Sequence, residues 1–304
     1  MKLFLQMMPQ MAPLFFQIII GFIAGRIFHI GKQDISKLLL YIILPILIFE
    51  TIINANLSGA TIALPLAVLG ISTLTAGVTY LLGRRFWRDS NVNILALSGA
   101  SSNTILFGIP VSIIMLNKIT LPVYIIAMMG TILFQYTLGI FLAARTEIKP
   151  LKAIGEILKQ PILYAFALGI FFNKNSIPLP QSLNLFILQM HGACTVTSMI
   201  IIGLGLSSIK LSTVDFKFIG MAFIAKFILC PLIALLFIYI DLHHLHILKV
   251  ESHQVIMFIS VMPIAASNIV FSSIYQTHTE KASSVVLLST IFSLFYIPLI
   301  YSIV

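Results

Sequence analysis

This chain has very little with which to face water. Only 9% of its 304 residues are charged, and the mean hydropathy is +1.08. That balance excludes an ordinary soluble globular protein. The nine acidic residues are scattered from Asp34 to Glu280. They form no close pair of the kind that two-metal or acid–base catalysis requires. The two cysteines, Cys194 and Cys230, lack metal-ligand spacing and read as packing residues. No GxxxxGKS or GxxxxGKT loop is present, which excludes ATP hydrolysis by that route. Connections between apolar runs are short and leave no room for an enzyme head or a regulatory domain.

What is there in abundance is apolar sequence, 59% of the chain. Ten segments have the length and composition of membrane spans: roughly 12–30, 34–54, 61–83, 92–114, 120–143, 160–173, 184–206, 217–240, 253–275 and 283–303. The first of these continues an apolar N-terminus without a clear small-residue cleavage site, so it reads as a retained helix. The expected fold is an all-α polytopic membrane protein. The net charge of +9 follows topology, with no reason to invoke nucleic acid. Thirteen of the eighteen lysines and arginines, among them Arg26, Arg84, Arg85, Arg88 and Lys281, fall in odd-numbered connections. The positive-inside rule then puts both termini outside, in a bacterial inner membrane on the periplasmic side.

The chain reads as two halves. Pro13 is followed by Gly21, and Pro161 by Gly169, at the same spacing in the first and sixth segments. The fourth segment carries Ser101-Ser102-Asn103-Thr104 and the ninth carries Pro263-Ile264-Ala265-Ala266-Ser267-Asn268. Five helices per half is an odd number, so the halves must be inverted relative to each other. The expected division is 1–148, a cytoplasmic linker at 149–160, and 161–304. The linker has the pattern of a short amphipathic surface helix, with Ile154, Ile157 and Leu158 on one face.

Function is read from residues that interrupt the apolar pattern. Gly108 and Pro110 loosen the fourth helix, because proline removes a donor and clashes with the preceding turn. Opened backbone at membrane depth is tolerated only inside protein or beside a watery cavity. Asn103 and Thr104 supply polar groups there. Pro263, Ser267 and Asn268 repeat the theme. Opposed half-helix ends would bring positive dipoles to the membrane centre, which suits an anion such as a carboxylate. Pro45 lies in the second helix. Glu50 beyond it reads either as a proton carrier or as a cap near Asn54 and Asn56. His191, Thr195 and Thr197 form a polar cluster in the seventh helix, facing a cavity or bonding to carbonyls one turn back. Lys226 reads as an attractor of anionic substrate, as a stand-in for a coupling cation, or as a snorkelling interfacial lysine. His243, His244 and His246 are a weak metal signal, so no metal site and no cofactor is assigned. Coupling to protons or to sodium stays open, as does homodimer formation.

These residues resemble the auxin efflux carrier family. PLFFQIIIGFIAGRIF with YIILPILIF is similar to its first two helices, SSNTILFGIP to its fourth-helix signature, QPILYAFALGIFF to the start of its second half, and MPIAASN to its ninth helix. The resemblance spans nearly the whole chain. It lies closer to bacterial malonate and organic-acid carriers, since the long central loop of the plant members is absent. One departure is Val196, where bacterial relatives commonly have proline. The resemblance implies ten helices in two inverted five-helix repeats, with helices four and nine crossing as broken helices at Pro110 and Pro263. It also implies a fixed scaffold of helices 1, 2, 6 and 7 and a moving bundle of 3–5 and 8–10. Asn103, Thr104, Ser267 and Asn268 would then lie near substrate, with Pro45 and the 191–198 stretch on the scaffold side. The expected activity is elevator-type secondary transport of a small organic anion, such as malonate or an auxin-like acid. The rival readings are a membrane enzyme, a ligand sensor or a channel.

Overall fold

The computed structural model describes residues 2–55, 57, 59–143, 161–207, 215–275 and 277–301. The expected linker at 149–160 and Asn56 lie outside the described residues. Within them the fold is helical: α1 (Lys2–Ile27), α2 (Gln33–Ile53), α3 (Gly59–Gly83), α4 (Asn91–Ala100), α5 (Thr104–Met115), α6 (Thr120–Ala143), α7 (Pro161–Lys174), α8 (Gln181–Ser207), α9 (Phe216–Leu245), α10 (Val250–Ser260), α11 (Ser267–Ile274) and α12 (Thr279–Tyr301). Among the described residues six helices are long and apolar enough to cross a membrane, and Ala12–Ile27, Thr104–Met115 and Pro161–Lys174 are shorter apolar helices.

Small residues set which helices touch. A methyl group on Gly21 would lie 2.3 Å from the Ile200 carbonyl oxygen, and one on Gly203 would lie 2.1 Å from that of Ile18. Helices α1 and α8 therefore meet backbone to backbone. Helix α7 packs on α2 in a similar way, with Gly169 against Ile52 and the Phe49 carbonyl. Asn173 fastens that pair, its Nδ2 donating to the carbonyls of Ile52, Ile53 and Ala55 at 2.7–3.1 Å. At this end of α2 the Ile52 carbonyl also accepts from the Ala55 N–H at 3.2 Å, and the amide closes the end by reaching the carbonyls that the helix leaves open. Gly130 lets α6 approach the Pro65 carbonyl of α3.

Three prolines do not break their helices. Pro45, Pro110 and Pro231 each follow a wide π-type turn, at Leu39–Ile43, Thr104–Gly108 and Ala225–Leu229. The extra residue in such a turn moves the clashing carbonyl away from the ring and lets the helix continue. The expected break at Pro110 is thus displaced. The chain leaves helical geometry earlier, at Ser101 (φ −85°, ψ 132°) and Asn103 (φ −78°, ψ 69°).

One rim of the bundle carries an aromatic and ionic cluster. Asp215 caps α9 by accepting from the Phe218 N–H at 3.0 Å, and Lys281 Nζ donates to it at 2.8 Å. The Lys281 ammonium and the Phe218 amide hold the Asp215 carboxyl below its ordinary value of 3.8. Its contribution to stability is therefore complete above the unfolded value and is lost as pH falls through the lower folded one. Thermal melting of wild type and Asp215→Asn should differ by a constant amount at neutral pH and converge only on acidification below about pH 4. A difference that persists unchanged well below that pH, or no difference at neutral pH, would show that the charge of the carboxylate contributes nothing.

Candidate functional site

Two interrupted helices meet in the middle of the bundle. Between α4 and α5, residues 101–103 are extended. Between α10 and α11, Pro263 cannot donate, and the chain is extended at Ile264. The two open segments pair as an isolated antiparallel bridge, Ser102 with Ile264. The Asn103 N–H donates to the Pro263 carbonyl at 2.8 Å, and the Ile264 N–H donates to Ser289 Oγ on α12 at 3.1 Å. Each interruption supplies the partner the other lacks, as buried backbone demands.

Side chains complete the crossing. Ser101 Oγ and the Asn268 amide bond to each other at 2.8–3.0 Å, both fully buried. Gln135 on α6 bridges the two strands: its Nε2 donates to the Ser102 carbonyl at 3.1 Å and its Oε1 accepts from Ser267 Oγ at 2.7 Å. Thr104 Oγ1 meets Thr131 Oγ1 at 2.8 Å. Tyr124 OH donates to the Thr104 carbonyl at 2.7 Å, and its ring packs edge-on against Phe258 of α10. Gly108 makes this possible, since a methyl group there would lie 1.9 Å from the Tyr124 hydroxyl oxygen.

Lys226 reaches the same point from α9. It is 0% exposed; its Nζ donates to Ser102 Oγ at 2.6 Å and lies 4.0 Å from Cys230 Sγ. Ser102 Oγ in turn donates to the Ile259 carbonyl at 3.0 Å, in the last turn of α10. No carboxylate pairs with Lys226 among the described residues. The snorkelling reading is therefore set aside, because the amine points inward to the crossing.

Beside the crossing lies a cavity of about 280 Å³. Its polar end is formed by Ser102, Asn103, Thr104, Gln135 and Ser267, and its walls mostly by apolar residues of α2, α6, α8, α11 and α12, among them Leu40, Ile132, Ile202, Phe271 and Leu287, with Ser36, Tyr136 and Thr290 between them. Among the described residues no lysine, arginine or histidine lines it. Asn103 is 5% exposed, and its side-chain amide bonds to no protein group among the described residues.

Of the residues singled out from sequence, Asn103, Thr104 and Ser267 line this cavity, while Gly108, Pro263, Asn268 and Lys226 shape the crossing behind it. Pro110 sits inside α5, and Pro45 follows a wide turn one turn beyond the lining residue Leu40. Glu50 and His191 come together at 3.2 Å, with Asn54 Nδ2 donating to Glu50 at 2.9 Å, away from the cavity lining. Thr195 and Thr197 donate to the carbonyls of His191 and Ala193 one turn back. Gln135 and Tyr124 were not anticipated, and Ser102 stood out only as part of the run Ser101-Ser102-Asn103-Thr104. A lone glutamine in the apolar run TILFQYTLG was the available signal for the first of them.

Apolar spanning helices and a polar crossing of two interrupted helices are the features of an integral-membrane transporter. The comparisons agree. The profile of the membrane transport protein family matches residues 6–301, and the chain belongs to this family, that of the auxin efflux carriers. An uncharacterized transporter of Methanothermobacter thermautotrophicus is 25% identical over 290 residues, covering 93% of each chain.

Proposed function

We propose that the protein is a secondary carrier of a small organic anion, a monocarboxylate with an apolar body. The carrying observation is the Asn103 amide, which bonds to no protein group among the described residues and stands at the polar end of a mostly apolar cavity. Two donor hydrogens there suit a carboxylate. The N-terminal ends of α5 and α11 add positive dipole character at the same place. The apolar walls give an auxin-like acid more to contact than malonate, whose second carboxylate would need a second polar end.

The movement is an elevator step of α3–α6 and α9–α12 against a frame of α1, α2, α7 and α8. Support comes from the seams: α1 against α8 repeats as α7 against α2, with Gly21 and Gly169 in equivalent roles. That is the relation expected of two inverted five-helix repeats. The cavity lies toward the ends that carry Arg26, Lys37 and Lys281, which the positive-inside rule makes the cytoplasmic side, with both termini outside.

Lys226 supplies the balancing charge. The C-terminal ends of α4 and α10 converge on it, where an interrupted-helix carrier would otherwise hold a coupling cation. Glu50 and His191 lie within the frame, so proton coupling is not the reading favoured here.

The test is uptake of labelled indoleacetate and labelled malonate into proteoliposomes, with Asn103→Ala alongside. Loss of a hydrogen bond to a charged group should weaken uptake about tenfold or more, with melting unchanged. Wild-type uptake by a folded Asn103→Ala protein would sink the assignment. Preference for malonate would overturn the monocarboxylate reading alone.

A further inference from the structure

A second concavity, sharing no lining residue with the crossing cavity, lies between α3 and α6 and has a volume of about 710 Å³. Its wall is mostly apolar or small: Thr73, Ala76 and Gly77 on one helix, Leu138, Phe141 and Leu142 on the other. A methyl group added to Gly77 would meet no neighbouring atom within 4 Å, so the glycine leaves the groove open. Leu138 and Phe141 are exposed, as side chains facing an acyl chain would be. Toward the end where the spanning part of α3 stops at Gly83, the rim carries Tyr80 in the last turn and Arg88 and Asp89 beyond it.

The charges on this rim are opposite and adjacent. Both side chains are exposed. Arg88 pairs with no carboxylate among the described residues. Asp89 is oriented by Asn91, whose backbone N–H donates to it at 3.1 Å and whose Nδ2 donates at 2.8–2.9 Å. Burial is the largest single effect and works against the charged form, but the Asn91 donors, together with His278 nearby, outweigh it and hold the Asp89 carboxyl below its ordinary value. An immobile carboxylate next to a guanidinium, at the mouth of an apolar groove at the membrane surface, is complementary to a zwitterionic lipid head.

We propose that this groove is a binding site for phosphatidylethanolamine, with the phosphate on Arg88, the primary ammonium on Asp89 and the first acyl segment against Gly77 and Phe141. The chemistry separates this lipid from its alternatives. An anionic phosphatidylglycerol satisfies Arg88 but brings no cation to Asp89. A phosphatidylcholine carries a quaternary nitrogen with no hydrogen to donate. Guanidinium–phosphate pairing and carboxylate–ammonium pairing are both strongest when charge-assisted and partly shielded, as at a lipid–water boundary.

The experiment is native mass spectrometry of the full chain released from nanodiscs holding equal amounts of phosphatidylethanolamine, phosphatidylglycerol and phosphatidylcholine. Wild type should retain phosphatidylethanolamine about fivefold over the other two. Arg88→Gln and Gly77→Leu should each abolish that retention, and Asp89→Asn should equalise phosphatidylethanolamine with phosphatidylglycerol. Trp87, the only tryptophan of the chain and the neighbour of Arg88, reports on folding of each variant by its emission. Equal retention of the three lipids by wild type would overturn the proposal. So would unaltered preference in folded Gly77→Leu and Arg88→Gln, which decide the matter even if Asp89→Asn does not fold.

Discussion

Lys226→Met is expected to lose most transport while gaining stability. The lysine is fully buried, and among the described residues its amine bonds to Ser102 and approaches Cys230, with no carboxylate to neutralise it. Replacing a buried charge by an apolar residue of similar length commonly stabilises a protein by about 1–4 kcal/mol. Methionine can fill the same channel, and Ser102 keeps its bond to the Ile259 carbonyl. For an anion in the neighbouring cavity the effect is opposite. At an effective dielectric constant of about 20, a unit charge acting across the single lining residue Ser102 contributes about 2 kcal/mol, or about thirtyfold in affinity. Melting and uptake should therefore move in opposite directions, a signature that a structural lysine would not give. Lys226→Ala leaves space, so added methylammonium should restore part of its uptake. Wild-type uptake in Lys226→Met, or a lower melting temperature without specific loss of uptake, would remove Lys226 from the site.

The apolar helical character was legible because it depends on composition along the chain, and six of the ten expected spans return as long apolar helices among the described residues. The site was legible only in part, because its geometry depends on partners far apart in sequence. Asn103, Thr104 and Ser267 announce themselves as polar residues beside glycine or proline in apolar surroundings. Pro110 announces itself as loudly, yet the wide turn at Thr104–Gly108 absorbs it, and the true interruption is at Ser101–Asn103. What fixes the interruption there is pairing with Pro263 and Ile264, about half the chain away. Lys226 had three readings until the packing of α9 against α4 and α10 directed its amine inward. Glu50 and His191 each looked isolated, and they prove to be partners across 141 positions.

Gly203→Val should be the most destabilising single change in the frame, and Gly205→Ala two residues on should be nearly silent. Both glycines lie in the same stretch of α8, but only one allows a close approach against a backbone. A Cβ on Gly203 would sit 2.1 Å from the Ile18 carbonyl oxygen and 2.7 Å from the Phe22 amide nitrogen. Neither atom can rotate away, so α1 and α8 must separate and open the seam around Gly21. Such overpacking costs about 3 kcal/mol or more. A Cβ on Gly205 would meet nothing closer than Leu287 Cδ2 at 3.4 Å, an ordinary contact with a side chain that can yield. Gly205 and Leu287 also both line the crossing cavity, on opposite sides of the surface across which the two bundles would slide. Gly205→Ala should therefore keep its melting temperature, while Gly203→Val should melt well below wild type or fail to accumulate. Equal melting temperatures for the two variants would show that the α1–α8 seam is not the rigid core of the frame, and the elevator reading would lose its fixed part.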